Sequence, residues 1–296
     1  MLSGWIWLSV AIIIAFIFRY RHACFYGRLE TDYEKLFTQC NSRRPDILIT
    51  DDIRHLPPVV VLWLTRSGVL NKAFNGAVHL YQQGAMRTGD NSKWMPVKAE
   101  QWFSSAVPGF LWTADVKMFP ALHLAGKDSY INGKGHMLIS LLSVLPIVNA
   151  TGPEIDQGSM IRYLAEIVWF PYAAVSHYIK WEEVDDLTAR ATITYGGNSA
   201  SALFHFNEEG DFVSLKAKRY YSAKGKTTLE DWLVETEPGA YQTFEGTRIP
   251  NRLQVTWLLK SGRFTWFRLK VTDIKYHENR KYQLTQHTRH EYLSNK

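Results

Sequence analysis

The chain has 296 residues, 46% of them apolar and 14% aromatic, with a net charge of +6. This composition excludes a disordered polymer and leaves room for one large domain or two small ones. Its two cysteines, Cys24 and Cys40, exclude a disulfide framework and a cysteine-ligated zinc site. A single Cys24–Cys40 bridge would need an oxidising compartment, and free thiols fit a cytoplasmic domain better.

Leu2 to Phe18 is uncharged and almost wholly apolar, and Arg19-Tyr20-Arg21-His22 follows at once. A helix through this run is about 25 Å long. That is a little short of a bilayer core of about 30 Å, a gap that snorkelling Arg and Tyr side chains can close. The run shows no polar face, and Trp5 and Trp7 sit at one end as interfacial aromatics do, so residues 1–22 are expected to form a single transmembrane anchor. A cleaved signal peptide would want a basic start and a small-residue cleavage site, and neither is present. His22-Ala23 before Cys24 is likewise a poor lipoprotein site. A buried core helix is the remaining alternative. Arg19, Arg21 and Arg28 follow the run and no Lys or Arg precedes it, which places the main domain on the cytoplasmic side by the positive-inside rule.

Residues 23–57 read as a juxtamembrane linker, with a short helix over Asp32–Phe37 and Thr31 as its N-cap. Asn41-Ser42-Arg43-Arg44-Pro45 breaks it. Pro57-Pro58 leads into Val59–Leu64, either a strand or a short buried helix. A helix is expected over Met95–Ser105. From there hairpin signals dominate: Asn132-Gly133, Gly196-Gly197-Asn198, Asn207–Asp211 and Ser261-Gly262 each separate two apolar-rich runs. Val213, Leu215 and Ala217 alternate with Ser214, Lys216 and Lys218, and Phe267, Leu269 and Val271 alternate with Arg268 and Lys270, as in an antiparallel sheet with one covered face. In the middle a helix over Gly158–Phe170 is stopped by Pro171. Met160, Leu164, Ile167 and Val168 form its apolar stripe, with Arg162, Glu166 and Trp169 opposite. The sheet domain is expected to cover 58–277 and a polar tail 278–296. From Phe212 to the end there are 16 Lys and Arg against 8 Asp and Glu. That surplus fits either contact with anionic headgroups or a solvated sheet face.

No metalloprotease pair, nucleophile elbow, phosphate loop or dinucleotide fingerprint is present. No catalytic residue, cofactor or metal is therefore assigned, and no nucleic-acid recognition motif is found. Arg162 and Glu166 stand four apart on one helix face. They are either a solvent-exposed pair or, beside Trp169, the mouth of a pocket in which Arg162 grips a phosphate or carboxylate. Trp181-Glu182-Glu183-Val184-Asp185-Asp186 is a dense acidic run whose spacing matches no calcium loop.

Several segments together resemble a bacterial family of unknown function, family 6544, over roughly residues 55–277. They are Gln82–Arg87, Trp94–Gln101, Pro108-Gly109-Phe110-Leu111-Trp112, Gly135-His136-Met137, Gly158 with Arg162–Glu166 and Trp169-Phe170-Pro171, Trp181 with Asp185-Asp186, and Gly246 with Ile249-Pro250. The resemblance implies no activity. It does imply N-terminal hydrophobic segments, and it marks Arg162, Glu166, Trp169 and Pro171 as recurrent.

The expected fold is α+β: a curved antiparallel sheet, a half-open barrel like that of lipoprotein carriers, with helices on its concave side. The leading functional expectation is a membrane-tethered module binding a lipid or other amphiphile in a trough between sheet and helix, touched by Arg162, Glu166, Trp169, Trp112, Trp181 and Asp185. Its lipid partners would be met through the N-terminal helix and the basic C-terminal third. The alternatives are an enzyme on a membrane-derived substrate, with Glu166 or Asp185/Asp186 as acid and base, and a structural or partner-binding membrane protein.

Overall fold

The computed structural model describes residues 2–38, 46–74, 76–120, 122–223 and 225–276. The expected polar tail and Cys40 lie outside them, and Cys24 is a free thiol. In chain order the elements are α1 Leu2–Phe37, β1 Asp46–Ile47, α2 Thr50–Ile53, α3 Pro58–Ser67, β2 Ala73–Phe74, β3 Ala77–Met86, β4 Met95–Ser104, β5 Gly109–Phe119, β6 Leu122–Ile131, β7 Lys134–Leu141 and β8 Leu145–Ala150. Then follow α4 Pro153–Glu166, two 3-10 turns, β9 Ile179–Asp185, β10 Thr188–Tyr195, β11 Asn198–Phe206, β12 Phe212–Ala223, β13 Lys226–Thr236, β14 Tyr241–Phe244, β15 Thr247–Pro250, β16 Arg252–Leu259 and β17 Gly262–Tyr276.

Thirteen strands form one antiparallel sheet in the order β8-β7-β6-β5-β4-β3-β17-β16-β13-β12-β11-β10-β9. Two meanders run outward from the β3–β17 seam, and α4 connects their free edges. The tight hairpins are those of the glycine signals. Asn132-Gly133 and Gly196-Gly197 all have positive φ, as a two-residue type I′ turn requires. The tips of these two hairpins meet, with Gly133 and Gly196 in van der Waals contact, so the sheet curls round on itself into a half-barrel. At the seam, Gly84 on β3 lies so close to β17 that a Cβ there would collide with the carbonyl oxygen of Arg268. Gly84→Ala is expected to cost about 1–3 kcal/mol through overpacking, read as a lower urea midpoint with an unchanged slope.

The concave face carries the core. Phe103, Phe110, Tyr163, Leu164, Phe170, Phe204 and Phe212 are fully buried there with α3 and α4. Val59–Leu64 is helical: Pro58 opens α3 and Gly68, at φ 71°, closes it. Met95–Ser105 is strand β4 rather than a helix, because Met95, Val97, Ala99, Gln101 and Phe103 repeat every two residues and pair with β3 on one side and β5 on the other. In β12 the alternation starts late. Val213 is the extra residue of a bulge between β11 and β12, so it is exposed while Leu215 and Ala217 face inward.

The first helix departs most from expectation. Among the described residues no helix is long and apolar enough to cross a membrane, so a single-pass anchor over 1–22 is not supported. α1 does not stop at residue 22. It runs on through the charged segment to Phe37, with Thr31 inside it, its hydroxyl bonded to the carbonyl of Gly27 rather than capping. Its second half docks on the convex face of the sheet, where Phe25, Leu29, Tyr33, Leu36 and Phe37 bury against Trp102, Leu111, Ala125 and Leu138. Lys127 on β6, 2% exposed, pairs there with Asp32 of α1. The first half projects from the domain with Trp7, Leu8, Ile12, Ile13, Phe16, Ile17 and Phe18 exposed.

Several basic residues of the C-terminal third are paired with neighbouring acids, most of them within the same segment, so its net positive surplus remains. Lys216 and Lys218 share Asp231, Arg263 meets Glu235, Arg252 meets Glu237 and Arg248 meets Asp211.

Candidate functional site

Helix α4 opens at Pro153, five residues earlier than expected, and presents Gly158, Arg162 and Glu166 one turn apart along one side. Arg162 is the centre of a closed polar ring. Its Nε donates to Glu166 Oε1 at 2.9 Å and its Nη1 to Asp128 Oδ2 at 2.7 Å. Its guanidinium lies 4.8 Å from the Phe110 ring centre and 4.9 Å from that of Trp112. Glu166 Oε2 accepts from Gln101 Nε2 at 2.7 Å, and Gln82 Oε1 accepts from Trp112 Nε1 at 3.0 Å. A longer contact of 3.4 Å, from Gln82 Nε2 to Gln101 Oε1, closes the ring. Adjacent strands set this geometry: Trp112 on β5 stands directly opposite Asp128 on β6, and Gln101 on β4 opposite Trp112.

The ring is enclosed but not sealed. Gln82 and Gln101 are buried, while the side chains of Arg162, Glu166 and Asp128 keep 13%, 12% and 11% exposure. Burial raises the Glu166 carboxyl above its ordinary value, against the pull of Arg162 and Gln101. Burial also works against the Arg162 charge, but Glu166 and Asp128 outweigh it and hold its pKa above the usual value.

A second guanidinium faces this ring from β12. Arg219 lies opposite Gly158, where a Cβ would stand 3.1 Å from its Nε, and over the Trp232 ring at 5.0 Å. It makes no hydrogen bond or ion pair with any described residue. Burial pulls its pKa down to about 10, with Asp128 supporting the charge and Arg162 opposing it, so the cation persists at neutral pH. Beside it the Trp232 indole N–H is buried without a partner, as is Oε1 of Gln157, whose amide bonds the carbonyl of Lys218. The cluster thus holds two cations and two carboxylates, with one cation unpaired.

From Trp112 outward the inner wall turns apolar and small. Ala99 stands opposite Ala114, Ala114 opposite Gly126, Val97 opposite Val116 and Val116 opposite Leu124. Beneath α4, by contrast, Phe103, Ile161, Tyr163, Leu164 and Phe170 leave no trough. A cavity of about 90 Å³ lies elsewhere, between Val69, Phe74, Tyr172 and Tyr276. A drug-sized ligand needs roughly 300–1,000 Å³.

Of the residues singled out from the sequence, Arg162, Glu166 and Trp112 are brought together and the other three are not. Trp169 falls in a 3-10 turn after Glu166, where the tighter winding rotates it off the Arg162 face, and its N–H bonds the carbonyl of Pro250. Trp181 is core, packed on Trp63 and Phe204, with its N–H on the carbonyl of Ala174. Asp185 ends β9 at the surface and accepts from the backbone of Leu187. Among the described residues no group of His, Cys, Asp and Glu could hold a metal. Gln82 and Gln101 lie within segments that carry the family resemblance but were assigned no role, and Asp128 and Arg219 had no motif to mark them. For Arg219 there was a signal: the alternation that sends Leu215 and Ala217 inward sends Arg219 inward too.

No curated protein matches the chain. Solved structures similar to it include the following three. A domain assigned to an outer membrane lipoprotein-sorting protein from Vibrio parahaemolyticus has 8% identity and a TM-score of 0.41, over 72% of this chain and 91% of that one. A DUF1329 family protein from Desulfovibrio piger has 9% identity and a TM-score of 0.43 over the same shares, 72% and 91%. A beta-barrel-like DUF1849 protein from Brucella abortus has 8% identity and a TM-score of 0.22, over 69% of this chain and 99% of that one. The sequence profile of DUF6544, a family of unknown function, matches residues 46–269, and the chain belongs to that family.

Proposed function

We propose that this domain binds an amphiphile with an anionic head, at a bilayer on which the apolar start of α1 holds it. The observation that carries the reading is Arg219, an unpaired guanidinium inside the half-barrel beside the Arg162–Asp128–Glu166 cluster. A phosphate or carboxylate would take its fork of donors and the free N–H of Trp232. The tail would run along the apolar wall of Ala99, Ala114 and Gly126 toward Val116 and Leu124, and because Ala99, Ala114 and Val116 are buried in this structure that wall must open to admit it. The exposed aromatic and aliphatic side chains from Trp7 to Phe18 support the tether, since apolar patches of that extent mark contact with a membrane or a protein. A catalytic reading would rest on the raised carboxyl of Glu166, but both its oxygens are already held by Arg162 and Gln101.

The full chain, purified in mild detergent, is the material for the test. Native mass spectrometry is expected to show a bound anionic lipid on the wild type and about tenfold less of it on Arg219→Gln, roughly 1.4 kcal/mol of affinity. Bare chains for both proteins, or equal adducts on both, would overturn the reading.

A further inference from the structure

The rim of the half-barrel from which α1 emerges carries its own exposed apolar patch. Met118 and Phe119 at the end of β5 are 38% and 64% exposed, and Leu145 and Ile147 on the edge strand β8 are 59% and 58% exposed. They belong to one rim. Phe119 pairs with Leu122, His123 accepts the backbone N–H of Leu142, and Leu141 pairs with Leu145. Strands about 4.8 Å apart put these tips within roughly 15 Å of one another.

Helix α1 is fastened to that rim. Arg21 Nε donates to the carbonyl of Val144 at 2.8 Å, one residue before Leu145, and Tyr26 lies against Ser143 and Asp115. Farther along, Leu36 packs beside Gly109 at the other end of β5. The helix therefore runs along β5, and its apolar half leaves the domain where Phe119 stands. Cationic Arg19, Arg21 and Lys117 sit at the junction between the apolar surfaces and the domain. Aromatic and aliphatic tips backed by basic residues match the order of an interface, with tails outermost and headgroups next.

We infer that the β5–β6 and β7–β8 tips dip into the same bilayer surface as α1, forming a second, fixed contact that sets the tilt of the half-barrel on the membrane. Phe119, Met118, Leu145 and Ile147 are the inserting side chains, and the partner is a lipid bilayer with anionic headgroups. The inference rests on the membrane reading of α1 above and goes beyond it, because a helix tether alone leaves the domain free to swing.

The test uses the full chain with Cys24→Ser and Cys40→Ser, reconstituted in nanodiscs of phosphatidylcholine and phosphatidylglycerol. Spin labels are placed one at a time through Phe119→Cys, Ile147→Cys, Ile13→Cys on α1 and Leu62→Cys on the exposed side of α3. Collision with oxygen is expected to rise severalfold, and collision with a water-soluble nickel chelate to fall severalfold, at 119, 147 and 13 relative to 62. Water-exposed labels at 119 and 147 beside a lipid-exposed label at 13 would overturn the inference and leave the tether standing. Water-exposed labels at all positions would overturn both. Protection at 119 and 147 from both reagents would mean a second copy covers the patch, which also overturns the inference.

Discussion

Arg162→Ala is expected to destabilise the domain by about 3–5 kcal/mol, because it leaves the carboxylates of Asp128 and Glu166 enclosed without their cation. At about 2–4 °C per kcal/mol for a chain of this size, the melting temperature should fall by roughly 6–20 °C. Two companion results separate charge from packing. Arg162→Lys should recover only part of the loss, since a single ammonium cannot reach both acids and cover Phe110 and Trp112 at once. Adding Asp128→Asn and Glu166→Gln to Arg162→Ala should restore stability relative to the single variant.

The pH dependence has a definite sign. Glu166 already titrates above its ordinary value because of burial, and removing Arg162 pushes it higher. Between the unfolded and folded values the native state binds the extra proton, so stability falls as pH rises through that window. The deficit of Arg162→Ala should therefore be smaller near pH 5 than near pH 8, as measured by thermal unfolding at both. A deficit that grows on acidification would contradict this account of the cluster.

Asp32→Ala is expected to have the second largest effect, again about 3–5 kcal/mol, because Lys127 is buried on the convex face with Asp32 as its counter-charge. The loss acts on one docking interface, so it should show first as undocking of α1. Limited proteolysis should cut between residues 19 and 35 in the variant at protease levels the wild type resists, before the sheet itself unfolds. Asp32→Asn should be milder, because its amide oxygen still accepts a hydrogen bond from the ammonium. Equal resistance of Asp32→Ala and wild type would mean that the apolar contacts of Phe25, Leu29, Tyr33 and Phe37 hold α1 without the ion pair.

The sheet was legible where local rules are strong. Asn132-Gly133 and Gly196-Gly197 specify positive-φ turns, and the period of two in β12 and β17 specifies a covered face. Pro171 marked the end of the helical segment, although α4 itself closes at Glu166 and the last turn tightens. Met95–Ser105 was misread because Lys98, Ala99, Glu100 and Gln101 favour a helix, whereas pairing on both sides decided for a strand. The convex docking of α1 was hidden because its stripe of Phe25, Leu29, Tyr33 and Leu36 follows directly on a run that is apolar all round, which blurs any helical period. In the site, Arg162 and Glu166 were visible as a pair one turn apart. Asp128, Gln101 and Arg219 come from strands far apart in sequence, and only the curl of the sheet brings them under α4.

The central claim is that Arg219 receives an anionic head. Isothermal titration with a soluble short-chain phosphatidic acid, and with the matching phosphatidylcholine, tests it most directly. The wild type should bind the phosphatidic acid about tenfold more tightly than the phosphatidylcholine, and Arg219→Gln should lose that preference while melting like the wild type. Equal affinities of the wild type for the two lipids, or a preference that survives Arg219→Gln, would contradict it.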